Sequence, residues 1–349
     1  MKILAGLLLA VSIRVLASDV TTGEGEVLYP RPVSSALKSA RFVEATKILA
    51  ITAAKHSSVK ENFFPKGITR EELYADAAIS NESESLSITW LGHATTLIQM
   101  HGLNVLTDPV FGDLSAIHPR MVRPVNFESM PRIDVILISH NHLDHFDVHS
   151  LGLLVKRWPN VQLYVPRGDR TLAETTGAAH VREFSWGQTS KVGQLSFAFL
   201  PSKHWSGRGV SDGYASAWGS WMVTGPLATV YFGGDSGFDS DMFMTIGRFY
   251  RQIDVALLPV GPVNPRPLMQ ATHMSPDEVI RAFSLLGAKR LIPIHWGTYP
   301  LGPDTYLDAI GPMREWANRE ASALQTDGRC FQELKFGGRF SLDGACGNL

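Results

Sequence analysis

The chain has 349 residues, of which 44% are hydrophobic and 19% are charged, with a formal net charge of −1 at pH 7. This composition is typical of a globular protein with a substantial core, and it excludes disordered and coiled-coil chains. The near-neutral charge gives no signature of polyanion binding, so we do not expect nucleic acid as a partner.

The first residues predict a secretory signal peptide. Lys2 precedes an apolar run at residues 3–13, and residues 15–17 end in a small residue. A basic start, a short apolar stretch and a small residue before the cleavage site are typical of exported proteins, and the run is short for a bilayer span. We therefore expect residues 1–17 to direct export to the periplasm or out of the cell. Arg14 is unusual so close to a cleavage site. The alternative is therefore an uncleaved anchor that would keep the protein at a membrane.

Residues 18–85 are expected to form a partly helical extension ahead of the main domain. Residues 35–56 are rich in Ala, Lys and Leu with spaced apolar positions, which predicts a helix. The sequence Thr69-Arg70-Glu71-Glu72 is a capping-box pattern and predicts a second, short helix that continues to Ala78. A polar hinge at residues 81–85 then separates this extension from strand-rich sequence.

From residue 86 to residue 349 we predict one domain in which strands and helices alternate. A turn signal at His101-Gly102 separates two of the strands, and a helix is expected over residues 148–156. The predicted strands are residues 87–91, 95–100, 103–107, 133–138, 161–165, 195–200, 218–223, 229–232 and 291–294.

A faint internal repeat predicts the architecture. Residues 132–137 resemble residues 252–258, and the strands that lead to Asp108 and Asp235 resemble each other in role. Two related halves, each a sheet with helices outside, would form a four-layer αββα sandwich of the α/β (α+β) class. Such a sandwich places the strand ends of both halves around one cleft.

A dense polar cluster follows the apolar, β-branched run at residues 133–138. This run predicts a buried strand, so the cluster lies where that strand ends. The cluster consists of His140, His142, Asp144 and His145. The first two histidines are two apart in an extended chain and point the same way, so they can share one metal ion, while the other two residues would face a second point nearby. Imidazole and carboxylate groups at this density suit zinc or a similar borderline ion.

Later strand ends offer the further ligands that a second metal ion requires. His204 follows the predicted strand at residues 195–200, and His295 follows the predicted strand at residues 291–294. Asp235 lies in a Gly-rich turn, where the backbone can approach other groups closely. Together these three residues supply the missing parts of a dinuclear site.

Several motifs, in the same order along the chain, resemble those of the metallo-β-lactamase superfamily of binuclear hydrolases. Within it, the chain is similar to the N-acylphosphatidylethanolamine-hydrolysing phospholipase D-like proteins, from about Leu86 to Leu301. The motifs are Trp90-Leu91-Gly92-His93-Ala94-Thr95, Leu106-Thr107-Asp108-Pro109, Ile138-Ser139-His140-Asn141-His142, His204-Trp205, Trp218-Gly219-Ser220-Trp221 and Ile294-His295-Trp296-Gly297-Thr298. The export-like start and the cysteine-bearing C-terminus depart from the animal members, which leaves the physiological substrate open.

The resemblance implies a site for two Zn²⁺ ions per chain. It implies that His140, His142 and His204 hold one ion. It implies further that Asp144, His145 and His295 hold the other ion, and that Asp235 bridges the two. The early aspartate of the family matches Asp108, which would orient a ligand rather than bind metal.

His273 matches a family histidine that contacts the substrate phosphate. Ser275 is a good N-cap and Pro276 suits the first helical position, so His273 is expected just ahead of a helix N-terminus, which favours anions. A surface histidine before a helix is the alternative. His93, in the first loop, is a further candidate to line the cleft.

These features predict a zinc-dependent phosphodiesterase of the phospholipase D type, with Asp144, Asp235 and His273 as catalytic residues. The expected substrate is an N-acyl phosphatidylethanolamine-like phospholipid or another small phosphodiester, reached by contact with a membrane surface. A lactone, an amide or another phosphodiester is the alternative substrate, and a non-catalytic metal-binding protein is a further alternative.

The aromatic candidates for contact with acyl chains are Phe63-Phe64, Trp205, Phe238 and Phe249-Tyr250, for which core packing is the alternative. The oligomeric state stays open, a homodimer included.

Two other sequence features bear on this prediction. The sequence Gly209-Val210-Ser211-Asp212-Gly213 fits the nucleophile-elbow pattern, but its loop composition does not favour the strand–turn–helix that a serine hydrolase needs. Cys330 and Cys346 could form one disulfide in an oxidising compartment, and two free thiols are the alternative.

Overall fold

The computed structural model describes residues 62–75, 85–123, 126–209 and 211–343. The predicted signal peptide at residues 1–17, the predicted helix at residues 35–56 and Cys346 lie outside these ranges. Cys330 is disulfide-bonded. Within the described ranges, no helix combines the length and the apolar character needed to cross a membrane.

Two seven-stranded sheets form the centre of the domain. The strands are β1 (Ser87–Gly92), β2 (Thr95–Met100), β3 (Leu103–Thr107), β4 (Val135–Leu137), β5 (Gln162–Pro166), β6 (Val181–Phe184), β7 (Thr189–Val192), β8 (Leu195–Leu200), β9 (Ser220–Thr224), β10 (Thr229–Phe232), β11 (Val255–Pro259), β12 (Arg290–Ile294), β13 (Cys330–Phe331) and β14 (Arg339–Ser341). The first sheet has the order β14-β1-β2-β3-β4-β5-β6, and the second has the order β13-β12-β11-β10-β9-β8-β7.

Helices cover the outer faces of the two sheets. They are α1 (Arg70–Leu73), α2 (Val148–Arg157), α3 (Arg170–Glu174), α4 (Ser240–Phe249), α5 (Arg266–Met269), α6 (Pro276–Leu286), α7 (Tyr306–Arg319) and α8 (Ala321–Thr326), with a short 3₁₀ helix at Phe127–Ser129. Asp147 begins α2, because its side chain accepts hydrogen bonds from the backbone N–H groups of His149 and Ser150.

Alternation along the strands decides which face each side chain buries. Val135 and Leu137 of β4 belong to the core between the sheets, whereas Ile136 packs with Leu151 and Leu154 of α2 in a second core outside the first sheet. Buried residues of α4, α6 and α7 join the core on the second sheet. The predicted four-layer αββα sandwich is confirmed.

The two sheets repeat one topology. In the first, β2 pairs antiparallel with β3, and β3 pairs parallel with β4. In the second, β9 pairs antiparallel with β10, and β10 pairs parallel with β11. Asp108 follows β3 and Asp235 follows β10, so the internal repeat in the sequence corresponds to equivalent strands. Both aspartates therefore leave their sheets at the same edge of the sandwich.

The prediction for the extension was wrong in one boundary. The capping box is present, since Thr69 Oγ1 accepts from Glu72 N at 3.2 Å and Glu72 Oε2 accepts from Thr69 N at 2.6 Å. However, α1 ends at Leu73 instead of continuing to Ala78. Tyr74 is extended and pairs with Phe336 from the end of the chain, a tertiary contact that the local pattern does not contain.

Trp221 joins the two sheets beside the site. Its indole N–H donates to the carbonyl of Ile138 at 2.9 Å, and its ring lies 4.9 Å from Phe184 and 4.8 Å from Phe199. The side chain is fully buried. Ile138 lies two residues before His140. The contact with Trp221 therefore anchors the start of the loop that carries the polar cluster.

We predict that Trp221→Phe lowers the free energy of unfolding by about 2–3 kcal/mol, because it leaves a buried carbonyl unpaired and a cavity between the sheets. Urea denaturation followed by circular dichroism measures the change. Trp316→Phe, at a half-buried position on α7, is the matched control and should cost less. Equal losses in the two variants would contradict the special role of Trp221.

Candidate metal centre

Every predicted ligand follows the end of a strand, and the strand ends of both sheets meet. His140, His142, Asp144 and His145 lie between β4 and α2. The other three follow β8, β10 and β12 and are His204, Asp235 and His295. The structure brings all seven side chains together at one edge of the sandwich.

His140, His142 and His204, here called the first ligand set, turn their ring nitrogens toward one point. Nε2 of His140 lies 2.8 Å from Nδ1 of His142, and Nε2 of His204 lies 3.1 Å from the same atom. These three residues form a group that could hold a metal ion.

Asp144, His145 and His295, here called the second ligand set, converge beside the first. The two Nε2 atoms of His145 and His295 are 3.2 Å apart, and each lies 3.6 Å from Asp144 Oδ2. Asp235 reaches both sets, because its Oδ2 is 3.3 Å from His145 Nε2 and 3.7 Å from His204 Nε2.

The outer nitrogen of most of these histidines is already used. Nδ1 of His204 contacts the carbonyl of Thr272 at 3.0 Å, and Nδ1 of His295 contacts the carbonyl of Gly261 at 3.1 Å. A carbonyl only accepts, so each Nδ1 carries a proton and each Nε2 is the nitrogen that can bind metal once it is unprotonated. His145 is held in the same way by Asp108, whose Oδ2 lies 2.7 Å from its Nδ1.

Asp108 thus lies behind the ligands. Its carboxylate accepts from the backbone N–H of Ser139 at 2.7 Å and from the Ser139 hydroxyl at 2.5 Å. The Ser139 oxygen in turn lies 2.9 Å from Nδ1 of His140. Asp108 therefore orients one histidine of each ligand set, as the resemblance implies.

The donor atoms fit a pair of zinc ions. Two nitrogens bound to one tetrahedral zinc ion are about 3.3 Å apart, and the inward nitrogens lie close to that spacing. Ring nitrogens that face one another at this distance repel, whether as two lone pairs or as two N–H groups, unless a metal ion lies between them. Asp235 Oδ1 is also buried without a hydrogen bond, although His295 Nε2 lies 3.0 Å away. Imidazole and carboxylate donors are those that zinc prefers.

The electrostatics of the cluster separate its histidines. Burial alone would lower the pKa of His295, but the nearby Asp235 and Asp144 carboxylates raise it to about 9. The same balance raises the pKa of His145 well above its ordinary value. Burial lowers the pKa of His142 to about 4 and holds the pKa of His140 well below its ordinary value. Without metal, these shifts favour the charged form of both histidines in the second ligand set. They favour the neutral form of the three histidines in the first set.

His273 lies beside the bridging carboxylate. Its Nδ1 is 3.7 Å from Asp235 Oδ2, and its backbone carbonyl accepts from Arg266 at 3.0 Å. Arg266 also pairs with Glu278, which caps the backbone N–H of Ser275 at 3.0 Å. The start of α6 thus fixes His273 at the cleft, where the sequence predicted it.

Some supporting residues were missed from sequence. Asn141 donates to Asp169 at 2.8 Å and accepts from the backbone N–H of Gly207 at 2.7 Å, which ties the loop of the polar cluster to the loop after His204. Arg266 was missed because its contacts, with the carbonyl of His273 and the side chain of Glu278, arise only once the chain turns into α6. The position of Asn141 between His140 and His142, directly after a strand, is the signal that could have identified it.

The remaining candidates lie in different places. Trp205 contacts His142, with ring centroids 4.4 Å apart, and so borders the site. Phe63 is buried against Phe64, and Phe238 packs on Phe243. Among the described residues of the Gly209–Gly213 motif, Ser211 lies in a loop that leads to β9, so the context of a nucleophile elbow is not found there.

Comparison with known proteins agrees with this geometry. A family model described as a β-lactamase superfamily domain matches residues 103–296, which include all seven predicted ligands. The chain is 35% identical over 250 residues to N-acyl-phosphatidylethanolamine-hydrolyzing phospholipase D 1 of Caenorhabditis elegans, and the match covers 67% of this chain and 70% of that protein. It is 32% identical over 263 residues to the mitochondrial N-acyl-phosphatidylethanolamine-hydrolyzing phospholipase D of Saccharomyces cerevisiae, covering 70% of this chain and 56% of that protein.

A solved structure shares the fold at low identity. The isothiocyanate hydrolase from Delia radicum gut bacteria superposes with a TM-score of 0.58 and 18% sequence identity. The superposition covers 73% of this chain and 99% of that chain. At this identity the likeness concerns the fold alone.

We predict that Gly234→Ala displaces Asp235 and lowers the affinity for metal by at least about tenfold. Gly234 has φ +55°, and an added Cβ would lie 2.5 Å from Ser139 Cβ and 2.9 Å from the carbonyl of Gly219. Gly287→Ala is the matched control, because its φ is +64° but nothing lies within 4 Å of the added carbon. Metal content after dialysis should fall in the first variant only, and equal content in both would contradict the steric argument.

We also predict that zinc uptake by the metal-free protein at pH 7 releases about two protons from ligands, because His145 and His295 are charged and must become neutral to bind. Release should decrease as the pH rises through about 9, because His295 is half neutral at that pH and mostly neutral above it. Calorimetry in buffers of different ionisation enthalpy measures the count. Uptake without proton release at pH 7 would show that both imidazoles are neutral beforehand.

Proposed function

The chain belongs to the metallo-β-lactamase superfamily and is a metal-dependent hydrolase, and we propose that it uses two zinc ions to hydrolyse phosphodiesters of the N-acyl phosphatidylethanolamine type. The relatives that carry this activity in their names support the substrate class. The ligand geometry supports the dinuclear centre.

The observation that carries the proposal is the position of His273 next to the carboxylate that joins the two ligand sets. Its ring is partly exposed, so a substrate at the cleft can reach it. Arg266 and the first turn of α6 hold its backbone in place. An imidazole placed in this way suits an anionic, tetrahedral substrate centre. It could contact one phosphoryl oxygen, while zinc ions held by the seven ligands would neutralise charge on the other phosphoryl oxygens.

The reaction exchanges one P–O bond for another. Bound zinc ions would supply Lewis acidity, which makes water a nucleophile near neutral pH and neutralises charge on the phosphoryl oxygens. The oxygen of water forms a bond to phosphorus, and the bond from phosphorus to the acylated ethanolamine oxygen breaks. The leaving oxygen takes up a proton, and the products are phosphatidic acid and N-acylethanolamine.

The side chains of this protein position the reacting groups. The charges of His295 and His145 outweigh the effect of burial and hold the pKa of Asp235 well below its ordinary value, so Asp235 is a carboxylate at pH 7. Burial lowers the pKa of His273 to about 4, so this imidazole is neutral and carries one N–H. We assign that N–H to a phosphoryl oxygen or to the leaving oxygen.

Apolar groups at the mouth of the site support a lipid substrate. Leu143, between two ligands, is 52% exposed, and Trp205 borders His142. An exposed leucine beside a half-buried indole at this position suits contact with an acyl chain or a membrane surface. The disulfide at Cys330 supports an oxidising compartment, in accord with export through residues 1–17.

The test combines substrates with matched variants. Zinc-loaded protein is offered N-acyl phosphatidylethanolamine in vesicles, a simple phosphodiester, a lactone and a β-lactam. We expect the lipid to be cleaved fastest, and in H₂¹⁸O we expect the label in phosphatidic acid, because water attacks phosphorus. His273→Asn should lower phosphodiester turnover by about 10²-fold without changing zinc content.

Asp235→Asn should lose zinc and turnover together, because it weakens the group that serves both ions. Full turnover by a zinc-free Asp235→Asn protein would contradict the dinuclear mechanism. Faster cleavage of the lactone or the β-lactam than of either phosphodiester would instead contradict the substrate class.

A further inference from the structure

We propose that His93 is a positioning residue that builds the second metal position by donating its Nε2–H to Asp144. The inference rests on the dinuclear centre proposed above. It concerns a residue of the loop between β1 and β2, outside the predicted ligands. Its side chain is buried against the second ligand set, with Nε2 3.0 Å from Asp144 Oδ2.

The backbone of His93 is fixed from three directions. Its N–H donates to Thr298 Oγ1 at 2.7 Å. Its carbonyl accepts from the Trp90 indole at 2.8 Å and from the backbone N–H of His295 at 2.9 Å. His93 has φ 53°, in the left-handed region, which these hydrogen bonds stabilise. The imidazole therefore reaches Asp144 from a rigid base.

The contact with Asp144 decides the tautomer of His93. An ionised carboxylate has no proton to give, so Nε2 donates and Nδ1 keeps the lone pair. Nδ1 is buried and has no hydrogen-bond partner, which agrees with this assignment. His93 lies close enough to Asp144, His145 and His295 to share a metal ion with them. However, while its Nε2–H donates to Asp144, that nitrogen presents no lone pair to a metal ion. It therefore orients a ligand and does not add one.

Asp144 is the ligand that most needs such support. Its side chain is 17% exposed, whereas the side chains of His145 and His295 are fully buried. Without a donor at its Oδ2, this carboxylate can turn toward water. His93 also contacts His295, because its backbone carbonyl accepts from the backbone N–H of His295. His93 therefore connects two members of the second ligand set. In the first ligand set, His140 and His204 contact Ser139 and Thr272 instead of His93.

Two substitutions separate hydrogen bonding from packing. His93→Phe keeps an aromatic ring and removes the donor. His93→Gln loses the ring but places an amide N–H the same number of bonds from the backbone as Nε2 of histidine. A purely structural role favours Phe, whereas the proposed role favours Gln.

The experiment titrates the metal-free full-length proteins with Zn²⁺ against a competing chelator, and repeats the titration with Co²⁺ to follow its visible spectrum. We expect H93F to bind the second ion about 10–100-fold more weakly than wild type, with the first ion within a few-fold. We expect H93Q to bind both ions within a few-fold of wild type. Unchanged binding of both ions by H93F, or equal weakening in H93F and H93Q, would overturn the proposal.

A measurement on the wild-type protein gives an independent answer if a variant does not fold. In zinc-loaded, ¹⁵N-labelled protein, long-range imidazole correlation spectra should show the proton of His93 on Nε2. A metal-bound Nε2 would overturn the positioning role. A wild-type protein that binds fewer than two ions would overturn the dinuclear centre and this inference together, whereas failure of His93 alone would leave that centre in place.

Discussion

The convergence of buried histidine ring nitrogens is the constraint on which the site depends. Inward ring nitrogens of neighbouring histidines lie 2.8–3.2 Å apart, and two carboxylates lie among them. Burial of such groups is costly unless opposite charge or a cation compensates. The hydrogen bonds outside the cluster keep the histidines from turning away, because each one fixes a tautomer and a ring orientation. The fold thus holds the nitrogen and oxygen donors close together in the orientation that metal binding requires.

Backbone strain gathers at the same place. Three residues around the centre adopt left-handed backbone angles without being glycine, namely His93, Asp108 and His295, with φ of 53°, 32° and 70°. Such residues cost about 1–3 kcal/mol each and persist only where the surroundings determine them. Here each one follows a strand of a large buried sheet. The hydrophobic cores on both faces make the sheets rigid. The strand ends are therefore fixed, and they hold the side chains of the site in place.

The sequence predicted those features that local pattern encodes. β2, β3, β8 and β10 were predicted to the residue, because each is a compact apolar run between clear turns. β13 and β14 were missed, since strands of two and three residues exist only through partners far along the chain. The ligands stood out as polar residues at strand ends. Ser139, Asn141 and Arg266 did not, because their roles arise from contacts that only the folded chain creates.

The pairing of β14 with β1 has a consequence for how the protein comes to be folded. Arg339 of β14 contacts Ser87 of β1 across 252 residues of chain. During synthesis, the outer side of β1 stays unpaired until residues 339–341 have been made. Until then, the free N–H and C=O groups along β1 can pair with a strand of another chain, and a protein that lacks β14 would keep this edge exposed to aggregation.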